Sequence, residues 1–199
     1  MSPAWRHAAA LSVSVLALSA CGQKTQNSAE NAVNATESAF SNAANATGNV
    51  IDNASLALTP TPSPQEFIDK AAKSDAFEIA AGQLAKTNAG TAAVKDFGQM
   101  MIDAHTKSTA EIKKAAGALK PDPVLTSDQK DKLSDLGKLK GAEFDKAYID
   151  GQIDAHEDAL SLMKKYGADG TDASLKAAAQ TIAPGVQTHL DRAKELKGE

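Results

Sequence analysis

Three histidines far apart in the sequence, His105, His156 and His189, each fall on the apolar stripe of a segment with helical periodicity. Spaced at about 100° per residue, Val94, Phe97, Gly98, Met101, His105, Ser108 and Ile112 share one face, while Lys95, Gln99, Asp103, Lys107 and Lys114 fall away from it. Tyr148, Ile149, Gln152, His156, Ala159, Leu160 and Met163 share a second face. Leu175, Ile182, Val186, His189, Leu190 and Ala193 share a third. A fourth stripe, Phe67, Ile68, Ala71, Ala72, Asp75, Glu78, Ile79 and Gly82, carries two carboxylates one turn apart. A buried charge has to be paired, protonated or bound to a metal. Glu78, His105, His156 and His189 lie near the middle of their segments, so antiparallel packing sets all four at one height.

That set supports two kinds of chemistry. The first is a transition-metal site with Glu78, His105, His156 and His189 as ligands and Asp75 and Gln152 as secondary polar groups; imidazole suits zinc, copper, iron or nickel. The second is a network of His–Glu, His–Gln or His–Tyr hydrogen bonds that holds the helices in register, or a cluster that charges as pH falls. An unpartnered buried polar group costs about 1–3 kcal/mol, so partners are required in either case.

Four long helices must position these groups. Ser63 is an N-cap, Pro64 sits at the first helical position and Glu66 completes a capping box, opening a helix that runs to about Thr87 and stops at Asn88 to Gly90. The second runs from about Ala92 to Leu119, ahead of Pro121 and Pro123. A short helix, capped by Thr126 with Gln129 three residues on, covers about Ser127 to Lys138. The third long helix runs from about Ala142 to Tyr166 and ends at Gly167; the fourth starts after Asp172 and continues to about Leu196. Pro184 inside the fourth predicts a kink one turn before His189. Aromatic residues are only 4% of the chain, which implies a core of small-residue helix packing rather than a sheet. The predicted fold is all-α: an antiparallel four-helix bundle over residues 64–199, with a short extra helix between the second and third long helices.

The N-terminal third reads as an address and a tether. Arg6 precedes a short apolar run, Ala8 to Ala17, too short for the roughly 20 residues a membrane span needs, and Leu18-Ser19-Ala20-Cys21 follows. Residues 1–20 are a predicted signal peptide. The ending resembles the bacterial lipobox, which implies cleavage before Cys21 and acylation of that residue. Gly22 after the cysteine favours the outer membrane by resemblance to Gram-negative sorting rules, with the protein facing the periplasm. Residues 21–63 form an Asn- and Ala-rich tether in which Asn31 to Ser41 is echoed by Asn42 to Asp52, an eleven-residue repeat. That period keeps Val33, Phe40, Ala43, Val50, Ile51 and Ala54 loosely on one side, suiting an amphipathic helix; the Asn, Ser, Thr and Gly content equally suits a spacer. Thr59 to Pro64 forms a stiff joint.

Phe77-Glu78-Ile79, Phe97-Gly98-Gln99-Met100-Met101 running to His105-Thr106, Phe144-Asp145-Lys146-Ala147-Tyr148 running to His156, and Pro184 followed by His189-Leu190 resemble the bacterial domain-of-unknown-function family 4142 over about Pro64 to Leu196. The resemblance implies a ferritin-like bundle, often labelled a predicted outer membrane protein, with Glu78, His105, His156 and His189 at the motif positions. This chain departs at Ala104, where the family usually has Asp before His. The Glu-x-x-His pairs of a di-iron bundle are absent, since Ile102 and Val186 stand three residues before His105 and His189. Iron storage and oxygen chemistry are therefore not expected.

The net charge of −4 with both signs interspersed lacks the basic stripe of a nucleic-acid binder. No nucleophile–base set or Gly-rich phosphate loop appears, which points away from catalysis. The functional expectation is a membrane-anchored envelope module with a binding or structural role toward an envelope protein or another copy of itself. The alternative is a transition-metal-binding bundle using the inward Glu and His residues.

Overall fold

The computed structural model describes residues 60–198. The signal peptide, Cys21 and the eleven-residue repeats lie outside the described residues. Five helices follow in order: α1 Pro64–Asn88, α2 Ala92–Ala115, α3 Ser127–Lys138, α4 Gly141–Asp169 and α5 Ala173–Lys197. The four long ones form the expected bundle. α1 packs most closely on α2 and α4 on α5, while α1–α4 and α2–α5 contacts close the ring; α3 lies on the outside against α1 and α4. No described helix is long and apolar enough to cross a membrane.

Local signals set most of the helix ends. Ser63 accepts from the Glu66 amide while Glu66 reaches back to the Ser63 amide, and Thr126 and Gln129 make the same reciprocal cap on α3. Asp172 caps α5 through the Leu175 amide. Two ends differ from expectation. α2 stops at Ala115, short of Leu119, because Gly117 takes φ +58 and turns the chain out of the helix. α4 runs past Gly167 to Asp169: Gly167 is not a stop but a contact point, where a Cβ would come within 3.1 Å of Gln180 on α5. α5 continues through Pro184, and the Thr188 hydroxyl donates to the Pro184 carbonyl at 3.0 Å.

The core largely follows the predicted stripes, but Ile79, Ser108, Ala159 and His189 are only half-buried, and Ala81 and Ala85 lie in the core as well. At one end Phe67 and Tyr166, both fully buried, stack with ring centroids 4.0 Å apart, which adds about 0.5–1.5 kcal/mol beyond the area they bury. At the other end Phe144 stacks on Tyr148, whose ring meets the edge of Phe97. The α1–α2 pair is held close by glycine. A Cβ on Gly98 would stand 2.6 Å from the Ala85 Cβ, and one on Gly82 would stand 2.6 Å from the Gly98 carbonyl oxygen. Gly98→Leu should therefore push the two helices apart and cost about 3 kcal/mol, read as a lower midpoint in urea unfolding; an unchanged midpoint would mean that the crossing is loose.

Candidate metal centre

Mid-bundle, the three histidines meet. The His105 and His156 ring centroids are 5.6 Å apart, His105 and His189 5.8 Å, and His156 and His189 5.5 Å. One donor nitrogen from each ring lies within 4.8 Å of the others. His105 and His156 are buried and His189 half-buried.

Two of the rings, His105 and His156, are oriented by hydrogen bonds. His105 Nδ1 contacts Asp75 Oδ1 at 2.8 Å, and the Thr109 hydroxyl donates to the other Asp75 oxygen at 2.9 Å. His156 Nδ1 donates to the Gln152 backbone carbonyl at 2.8 Å. These bonds assign the proton of both rings to Nδ1 and turn Nε2 inward as a lone-pair donor. His105 Nε2, His156 Nε2 and His189 Nδ1 are buried and have no hydrogen-bond partner among the described residues. This is the pattern of metal-binding histidines, whose second nitrogen is held by a carboxylate or a backbone carbonyl.

The sequence expectations divide here. His105, His156 and His189 are brought together, whereas Glu78 is not among the converging donors. It sits against Gln152, whose Nε2 donates to Glu78 Oε2 at 2.5 Å. Asp75, expected as a secondary polar group, is the hydrogen-bond partner of His105. α1 brings Asp75 within hydrogen-bond distance of His105, while Glu78, one turn on, acts on that ring through its charge alone. Gln152 contributes twice, its side chain to Glu78 and its carbonyl to His156. The carbonyl role and Thr109 were not anticipated; Thr109 stands four residues after His105, a spacing that places it on the same helix face.

Electrostatics separate the rings. Burial, reinforced by the nearby His105 charge, pulls His156 down to about 3. The same two causes bring His189 down to about 4. Burial also acts to lower His105, but the Asp75 hydrogen bond and the charges of Glu78 and Asp75 outweigh it and hold His105 above its ordinary value. Burial raises Glu78, against the pull of His105 and the Gln152 hydrogen bond. The cluster thus offers two neutral imidazoles and a third position where its carboxylates favour positive charge.

No curated protein and no solved structure matches the chain. The sequence model of the family described as Domain of unknown function (DUF4142) matches residues 51–196, most of the chain, and the chain belongs to that family.

Proposed function

We propose that the protein binds one transition-metal ion on His105, His156 and His189, in a bundle tethered to the bacterial envelope through an acylated Cys21. The observation that carries the metal reading is the convergence of three buried imidazole nitrogens that no described residue partners. A purely structural network would bond these rings to Glu78, Gln152 or Tyr148. Instead Glu78 Oε1, Gln152 Oε1 and the Tyr148 hydroxyl are themselves without protein partners. Leaving three such nitrogens unmet would cost about 1–3 kcal/mol each, whereas a cation meets all three at once. Zinc at about 2.0–2.1 Å from each nitrogen would hold them roughly 3.4 Å apart, so binding draws the rings inward by about an ångström from the 4.8 Å limit.

The anchored location rests on the lipobox-like Leu18 to Cys21 and the signal segment before it. It makes this a periplasm-facing centre, most simply at the outer membrane, and it is compatible with docking to an envelope partner or to a second copy. Elemental analysis of the full chain, purified without a histidine tag, beside His105→Ala tests the metal. One zinc, copper, iron or nickel per chain is expected in the wild type and less than about a tenth of that in the variant. A wild type free of metal that takes up none on addition would leave the histidines as structural groups.

A further inference from the structure

A cavity of about 250 Å³ lies beside the histidine cluster. Its buried wall includes Asp75 and His105, and His189 reaches it as well, but His156 does not. Lys107, Thr181 and Gly185 also line it, and all three are exposed, so they mark its mouth. The cavity therefore runs from solvent to the walls formed by two of the three histidines, with the converging nitrogens buried just behind it.

We infer that the metal centre keeps an open coordination position facing this cavity and binds a small anion there. The inference rests on the metal reading above. Three protein ligands plus an open position distinguish a reactive or ligand-binding centre from a closed structural one. The carboxylate that could have closed the set, Asp75, already engages His105 with one oxygen and Thr109 with the other. Glu78 is held by Gln152 and does not line the cavity. A dication on three neutral imidazoles retains its positive charge, which favours an anionic fourth ligand. The cavity, about 250 Å³ with an open mouth, has room for a ligand of a few heavy atoms beside the cluster. Its apolar wall, including Leu162, Met163, Ile182 and Val186, offers few groups to compete with the metal for the anion.

Gly185 supplies a plug. Gly185 lines the mouth one turn before His189, and a Cβ there meets nothing within 4 Å, so Gly185→Phe adds bulk beside the entrance, with the cobalt spectrum itself reporting whether the imidazoles still hold the ion. The test is to load the full chain with Co²⁺, whose visible absorption reports coordination, and to titrate azide. The expected result is a saturable shift of the cobalt spectrum in the wild type. In Gly185→Phe the cobalt spectrum should persist while azide affinity falls by about tenfold or more. A cobalt spectrum that azide does not move would overturn the inference and mean that the protein fills the fourth position itself, Glu78 being the group to examine. An equal azide response in wild type and Gly185→Phe would also overturn it, because the ligand would then be arriving by another route. Absence of cobalt binding in the wild type would instead sink the metal reading, a separate and recognisable failure.

Discussion

Replacing Asp75 with alanine should weaken zinc binding by about 10–100-fold although all three proposed ligands remain. Asp75 touches His105 at 2.8 Å through Nδ1, so its loss frees the ring to rotate and removes the negative charge that favours a cation on Nε2. It also strands the Thr109 hydroxyl, which donates to the same carboxylate. Asp75→Asn keeps an oxygen able to accept from Nδ1 but removes the charge, and should fall at the lower end of that range. Competition against a chelator of known affinity gives the numbers, and the melting curve of the metal-free variants shows whether the bundle is intact. Unchanged affinity in both variants would mean that Asp75 is a structural tie to Thr109 and does not orient a ligand.

At pH 5 the metal-free chain should keep His156 and His189 neutral, although an ordinary imidazole with a pKa near 6.5 is about 97% protonated there. Their values of about 3 and about 4 come chiefly from burial, with the His105 charge adding to it. The sign for stability follows. The unfolded chain takes up protons below about pH 6.5 that the folded rings refuse, so these two groups weaken the fold as pH falls through that range. His105 works the other way. Its folded value is raised, so its contribution is fully present below about 6.5 and is lost as pH rises through the folded value. Glu78, also raised, favours the fold most below its ordinary carboxylate value, and that contribution is lost as pH rises through its folded value. The opposing signs make the ring protonation itself the clean readout. Imidazole NMR shifts between about pH 5 and 8 should show no titration of His156 or His189. A midpoint near 6.5 for either would contradict the burial on which the site depends. The same asymmetry bounds the proton count: near neutral pH metal binding displaces no proton from His156 or His189, so at most one imidazole proton is released.

The sequence by itself determined what is local. Period-3.6 stripes marked four long helices and their inward faces, because a helix buries whichever side repeats every three to four residues. Ser63 with Glu66 and Thr126 with Gln129 announced two helix starts, since a cap is made within one turn. Three histidines near the middle of three helices implied a meeting, and they meet. The tertiary structure decided what depends on how helices slide and rotate against each other. Mid-helix height resolves position only to about one turn, or roughly 5.4 Å, and Asp75 and Glu78 differ by almost that amount. The position of α1 against α2, fixed where Gly82 and Gly98 let the backbones touch, put Asp75 on His105 and left Glu78 to Gln152. Gly167 read as a helix end because its use as a contact for Gln180 lies on another helix. Which nitrogen of His105 and of His156 points inward was decided by partners on another helix or a turn away. Metal coordination turns on that choice and on distances of tenths of an ångström, and periodicity carries no information at that scale.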